Sequence, residues 1–439
     1  MIPAMCEKPR QRILIFLLLF LPIVLAAQEV VDQARADVEY LASPELQGRG
    51  YLHGGHVTAA AYIKERFLAL GVDSFPGGYY QFFKMKVNEF PGRISLRING
   101  TDLVPGRQFI PDAASAGGEN HGDIPFINAG SGLVIPSRRI NDYRGRYPAG
   151  HITILDEAIP DSVRADTTID PGYYSTQLRI QSAMAMGARG VIVVTDRLTY
   201  GRAQEALRIP LLYVLRSAMP DAVADVSYNI VNRIRDVTTQ NVAGYIRGRR
   251  YPDKFLMITA HYDHLGMIAD QVCFPGANDN ASGVAMMLAL AKYFQEHPPE
   301  YSIAFVAFSG EEAGLLGSQY FAEHPLLDLS SVRFLLNVDM TASGTDGITA
   351  VGGKVFGEEF ELLKEAAEDA DVEDVRKREV APNSDHYPIV SRGVRGFYVY
   401  PFTGYQPYHS MDDVPGTLQW DVFARLYSIF TEFLEELQE

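Results

Sequence analysis

The chain has 439 residues, 47% hydrophobic and 21% charged, and a formal net charge of −15. That length suits two domains or one large domain with an insertion, and the composition is globular, without a low-complexity tract or internal repeat. The acidic balance, with no long basic stripe, argues against nucleic-acid binding.

Residues 1–27 have the layout of a cleaved secretory signal. Lys8, Arg10 and Arg12 form a positive start, Ile13 to Leu25 is apolar, and Ala26-Ala27-Gln28 offers a small-residue cleavage site. The apolar run is too short for a comfortable membrane span. The chain is therefore expected to be exported, periplasmic or extracellular, with no stable membrane span after cleavage. An uncleaved N-terminal anchor is the alternative. Cleavage removes three basic residues and one acidic one, so the mature chain is more acidic still. It also removes Cys6, leaving Cys273 as the one thiol and no internal disulfide. Cys273 is read as a partly buried thiol rather than a redox group.

Residues 30–72 read as helical, with Ala60, Ile63, Phe67 and Leu70 at helical spacing and Gly71 as a stop. Between about 90 and 236 the texture changes to short β-rich runs: RISLRI, DIPFI, HITILD, GVIVVTD and IPLLYVL. With one helix-like stretch, TQLRIQSAMAMGA, they predict a small separate α+β module. From about 240 a strand–loop–helix pattern repeats. Predicted strands are Phe255–Ala260, Ser302–Phe308, Val332–Val338 and Gly396–Tyr400. Predicted helices are Val284–Glu296, Leu315–Glu323, Phe356–Ala370 and Asp421–Leu437. The fold class is thus α/β, a mostly parallel mixed sheet sandwiched by helices. Ligands bind such sheets outside the carboxyl ends of the strands.

His261, Glu312 and Asp339 fall just beyond three of those strand ends. Asp279 and His409 complete a set ordered His, Asp, Glu, Asp, His. Histidine supplies a neutral nitrogen to each of two metals, one carboxylate can bridge them, and one more closes each shell. Glu311, directly before a ligand glutamate, is placed to take a proton from a bound water.

Each piece alone also fits an ordinary role. In HYDHLG, His261 would be a hydrogen-bonded strand-end residue; as a ligand, it would have Asp263 on the same side to receive the ring N–H that faces away from the metal. His264 would line the site or be surface polarity. In GANDNASG, Asn280 or Ser282 would cap the following helix. In SGEEAGLLGS the two glutamates would be solvated acids in a helix's first turn. In NVDM, Asp339 needs a partner of some kind. In YHSMDD, Asp412 or Asp413 would orient His409, and SDHYP, Ser384 to Pro388, would sit behind the site or face substrate. Together they balance charge. Two divalent cations are neutralised by Asp279, Glu312, Asp339 and a bridging hydroxide, the condition a partly desolvated site tolerates best.

HxD, NDNASG, SGEE, NVDM and YHS, with ligand separations of 18, 33, 27 and 70 residues, resemble the co-catalytic dizinc aminopeptidases. Relatives of that family include glutamate carboxypeptidase, the transferrin receptor and glutaminyl cyclase. The resemblance covers roughly Gln28–Gly92, including ELQGRG, and Thr239–Glu439, which would form the zinc exopeptidase catalytic domain (28–92 and 239–439). Residues 93–238, best in AMAMGARGVIVV, resemble an inserted protease-associated domain. The resemblance implies two zinc ions, His261 and Asp339 on one, Glu312 and His409 on the other, with Asp279 bridging. It implies Glu311 as general base, Asp263 as the group orienting His261, Tyr408 as a donor to the scissile carbonyl, and a cis Asp279–Asn280 peptide. The expected substrate is a peptide with a free N-terminus, attacked by a zinc-bridging hydroxide. A carboxypeptidase, a glutaminyl-cyclase-like transferase and a non-catalytic binding module remain as alternatives. Oligomeric state is not legible.

Overall fold

The computed structural model describes residues 28–344, 347–402 and 404–439, so the expected signal, residues 1–27, lies outside the described residues. Two helices open the fold, α1 (residues 28–41) and α2 (Gly55–Ala69). A tight turn over Pro44–Arg49 joins them. α2 ends as predicted, with Gly71 taking up φ +71°, a conformation that costs glycine little.

Strands β1 (Tyr80–Glu89) and β2 (Arg233–Ile246) form a long antiparallel ribbon. The chain leaves along β1 and returns along β2. β2 runs unbroken through the expected boundary at 238/239, so one strand serves both the excursion and the large sheet. Then follow β3 (Tyr251–His261), α3 (Gly283–Glu296), β4 (Tyr301–Phe308), α4 (Leu316–Glu323), β5 (Val332–Val338), β6 (Gly347–Val351), α5 (Gly357–Asp369), β7 (Asp374–Arg378), β8 (Gly396–Pro401) and α6 (Trp420–Glu436). The four predicted strands and four predicted helices of this half recur with bounds within a few residues, while β6 and β7 were not predicted.

The large sheet is mixed, ordered β2-β4-β3-β5-β8-β6-β7, and β4, β3, β5 and β8 are mutually parallel. Its central strands are buried on both faces, which explains their near-continuous apolar runs. Leu256, Ile258 and Ala260 of β3 point into a core shared with α1, α2, α3, α5 and α6. Met257 points the other way, into a thinner core with Phe321 and Ala322 of α4. β4 follows β3 on one side and β5 lies on the other. The strand order therefore reverses around β3, where such sheets open a crevice. Among the described residues no helix is long and apolar enough to cross a membrane.

Between β1 and β2 the five predicted β-rich runs are all strands. A four-stranded sheet includes Ser95–Ile98, and a five-stranded one includes Phe126–Asn128, Ile152–Asp156, Gly190–Thr195 and Leu211–Leu215. Helix Thr176–Ala185 packs beside them. Their core also contains Leu265, Ile268, Val272 and Phe274, from the hairpin after β3. The module therefore sits on a hairpin that follows β3 of the large sheet. Cys273 lies in this hairpin, half-buried, and burial raises its thiol pKa.

Two buried histidines tie stability to pH. Burial lowers His56 and His386 to about 4 each. Both stay neutral in the fold, while in the unfolded chain they take up protons near the ordinary value of 6.5. Their contribution is complete above that value and is lost as pH falls toward 4, on the order of 3 kcal/mol per site. Urea unfolding at pH 7 and pH 4.5 should show a smaller acid loss for His56→Gln than for wild type; equal losses would contradict this.

Candidate active site

The five expected ligands converge at the carboxyl ends of β3, β4 and β5. His261 ends β3, Glu311 and Glu312 follow β4, and Asp339 follows β5. Asp279 comes from the loop before α3, and His409 from the loop between β8 and α6. His261 Nε2 lies 3.3 Å from Asp279 Oδ1 and 3.6 Å from Asp339 Oδ2. His409 Nε2 lies 3.1 Å from Asp279 Oδ2 and 3.3 Å from Glu312 Oε2. Asp279 thus turns one oxygen toward each histidine–carboxylate group. His261, Asp279 and Asp339 satisfy the spacing of a metal-holding group. Asp339 Oδ1 is buried and has no hydrogen-bond partner among the described residues, which a cation would remedy. Nitrogen and carboxylate donors without thiolate fit zinc.

The loop carrying Asp279 is held from several sides. Asp413 accepts from the amides of Asn278 (2.8 Å) and Asp279 (3.1 Å). Asn280 Oδ1 accepts from the amides of Gly283 (2.9 Å) and Met340 (3.1 Å), tying the loop to the residue after Asp339. The Asp279–Asn280 peptide is cis. Arg49, fully buried, donates to five backbone carbonyls, those of Leu41, Tyr262, Pro275, Gly276 and Asp279. Gly276 is required here: its φ is +63°, and a Cβ would lie 2.3 Å from both the Asp279 carbonyl oxygen and a His264 ring carbon.

The SGEE segment is held amide by amide. Ser309 N donates to Asn241 Oδ1 (3.2 Å), Gly310 N to the Tyr51 hydroxyl (3.0 Å), and Glu311 N to Asp263 Oδ1 (3.2 Å). The Tyr51 hydroxyl in turn donates to Asp263 Oδ2 (2.8 Å). Three elements distant in sequence therefore fix where Glu311 stands.

Residues 241–434 match the sequence profile of Peptidase family M28. The chain carries a Peptidase family M28 domain. Aminopeptidase YwaD of Bacillus subtilis is 29% identical over 276 residues, 59% of this chain and 53% of that protein. An aminopeptidase of Pseudomonas aeruginosa is 24% identical, covering 79% of this chain and 62% of that one. The chain spans about half the length of the first of these relatives, and 23% of a probable zinc metalloprotease from Pyrenophora tritici-repentis that is 37% identical over 113 residues. In fold it resembles a zinc aminopeptidase from Bacillus subtilis, with TM-score 0.67, 20% identity and coverage of 92% of this chain and 94% of that one. A Peptidase M28 precursor from Shewanella amazonensis gives TM-score 0.67 at 18% identity, covering 94% and 96%.

Charge in this M28 domain is arranged as histidines facing buried carboxylates. Burial disfavours a proton on His261, yet Glu311 and Asp339 outweigh it and raise its pKa well above the ordinary value. Burial also works against a proton on His409, which Glu312 and Asp279 nonetheless raise to about 11. Burial alone would raise Asp279 and Glu312, but the histidines pull Asp279 well down and His409 brings Glu312 to about 2. A cation held here would bind the neutral imidazoles and so compete with a proton on each histidine. Glu311 differs. Burial drives its pKa well up, His261 opposes, and Glu312, Asp385 and Asp339 add to the rise. A carboxyl so placed is disposed to hold a proton.

Several expectations about the supporting residues are corrected. His261 Nδ1 lies 3.1 Å from the backbone carbonyl oxygen of Asp263 and 3.9 Å from its carboxylate. The carboxylate is engaged by Tyr51 and Glu311 instead, so Asp263 orients His261 through its backbone. Asp412 pairs with Arg107, and Asp413 holds the Asp279 loop rather than orienting His409. Of the two readings of His264, lining the site holds: it is fully buried, with Nδ1 2.7 Å from Glu312 Oε1. Asn280 caps α3 at Gly283 while also bonding Met340, so the ordinary and the site roles coexist in one side chain. Tyr408 is exposed and stacks on His409, ring centroids 3.9 Å apart and planes at 17°. In SDHYP, Ser384 accepts from Asn337 behind the site. Asp385 is buried, and burial raises it to about 7 against the pull of His261. Arg49, Tyr51 and Asn241 were not singled out from sequence. Arg49 sits in ELQGRG, a polar, glycine-containing stretch with no apolar period to mark it as buried.

Proposed function

We propose that the chain is an exported dizinc aminopeptidase that removes N-terminal residues from peptides. One observation carries this reading: Asp279 directs its two oxygens at two separate histidine–carboxylate groups, and Glu311 stands beside them on a tightly held loop. Relatives named aminopeptidases and zinc metalloproteases support it. His261 and Asp339 would hold one zinc, Glu312 and His409 the other, with Asp279 shared.

Bound zinc supplies Lewis acidity toward a water and a carbonyl oxygen. Glu311 takes the proton of the attacking water on its carboxylate and delivers it to the departing amine nitrogen. Asp263 and Tyr51 keep that carboxylate in place through the amides of Glu311 and Gly310. Tyr408, exposed beside His409, donates its hydroxyl proton in a hydrogen bond to the carbonyl oxygen. The free amino group of the substrate meets the acidic cluster, which favours an exopeptidase. Residues 93–238 are read as a protease-associated module, and export follows from the signal-like start.

Hydrolysis of an aminoacyl-anilide compared with an N-blocked peptide bearing a free C-terminus tests the direction of cleavage. Turnover of the anilide alone is expected. Turnover of the blocked peptide alone would make the enzyme a carboxypeptidase.

A further inference from the structure

The loop that carries His409 is fastened from outside the M28 domain. Arg197, in the module between β1 and β2, donates through one terminal nitrogen to the carbonyl oxygens of Gln406 (2.6 Å) and Tyr408 (2.7 Å). The amide of Tyr200 donates to the carbonyl oxygen of His409 itself (3.2 Å). Arg107, also in the module, contacts both carboxylate oxygens of Asp412 at 2.7 and 2.9 Å. Three module residues thus grip the loop before, at and after the ligand.

The loop needs such a grip. His409 has φ +56°, in the left-handed region that residues with a Cβ adopt uncommonly and at some cost in conformational energy. The contacts from Arg197 and Tyr200 engage the backbone on both sides of the Tyr408–His409 peptide. The module makes one further contact beside a ligand, from Gln204 Nε2 to the carbonyl oxygen of Ala313 (3.1 Å), next to Glu312 of the same metal position; His261, Asp279 and Asp339 stand at strand ends or in the loop held by Arg49 and Asp413.

We infer that Arg197 is a positioning residue for the metal ligand His409, and that the inserted module completes one of the two metal positions while leaving the other to the M28 domain alone. This rests on the dizinc reading above. Its consequence is asymmetric: loosening the clamp should weaken the position served by His409 and Glu312 and spare the one served by His261 and Asp339. Residues that act behind a ligand in this way commonly change metal affinity by about 10–100-fold.

The test is equilibrium dialysis of full-length wild type, Arg197→Ala and Arg197→Lys against buffered free zinc, with zinc per chain read by elemental analysis. Thermal melting of each metal-free protein is recorded in parallel. Arg197→Ala is expected to bind its first zinc as wild type does and its second about 10–100-fold more weakly. Its metal-free melting temperature should match wild type, since Arg197 is exposed and carries no core contact. Arg197→Lys should recover part of the loss, because a single ammonium can still reach one carbonyl. If Arg197→Ala and wild type take up two zinc ions with the same isotherm, the inference is wrong and the dizinc reading stands. If both sites weaken equally along with the metal-free melting temperature, the role is merely structural and the inference is wrong. If wild type takes up no zinc, the dizinc reading falls, and this inference with it.

Discussion

Glu311→Gln should fold, keep its zinc and lose turnover by about 10²–10⁴-fold, the range spanned by general acid–base catalysis. Glutamine keeps the shape and the backbone amide that donates to Asp263, but its carboxamide does not accept a proton. The neighbouring Glu312 cannot substitute, because His409 and His264 engage its two oxygens. Kinetics on an aminoacyl-anilide should show the loss in kcat, with zinc content and melting temperature unchanged. A variant that turns over near the wild-type rate would remove Glu311 from the chemistry.

Arg49→Ala should cost stability upwards of about 4 kcal/mol, the exceptional end of single substitutions. Five backbone carbonyls lose their donor in a place water does not easily reach, and each unsatisfied buried group costs about 1–3 kcal/mol before relaxation. Burial lowers the guanidinium to about 10, opposed by Asp413, Asp279 and Asp263, so it remains charged at neutral pH. Lysine should not rescue it, since one ammonium does not span carbonyls from Leu41, Tyr262 and the 275–279 loop. Urea denaturation measures this directly; a loss below about 1 kcal/mol would mean the loop holds itself.

The convergence of the candidate ligands at strand ends was legible because chemistry and topology left the same mark. An apolar run ending in His261 or Asp339 is unusual on both grounds, and parallel sheets bind ligands at those ends. The helices were legible from their period. The residues that hold the site were harder to see. Arg49 contacts Asp279 across 230 residues of sequence, and Tyr51 reaches Asp263 across 212. Side chains that satisfy backbone groups so far away follow no local period. The roles of Asp263 and Asp413 were misassigned for a related reason. Both were paired with a candidate ligand histidine a few residues away, whereas the fold turned their carboxylates toward backbone amides of other loops. The module's own strands could be read, but not its seat on the hairpin of Leu265 and Phe274, because apolar residues there look the same whichever core receives them.

Zinc content measured together with activity tests the central claim most directly. Dialysed protein should carry two zinc ions per chain and hydrolyse an aminoacyl-anilide. A chelator should remove both ions and the activity, and added zinc should restore both. Full activity in the chelated, metal-free protein, or saturation at one zinc per chain, would contradict the account.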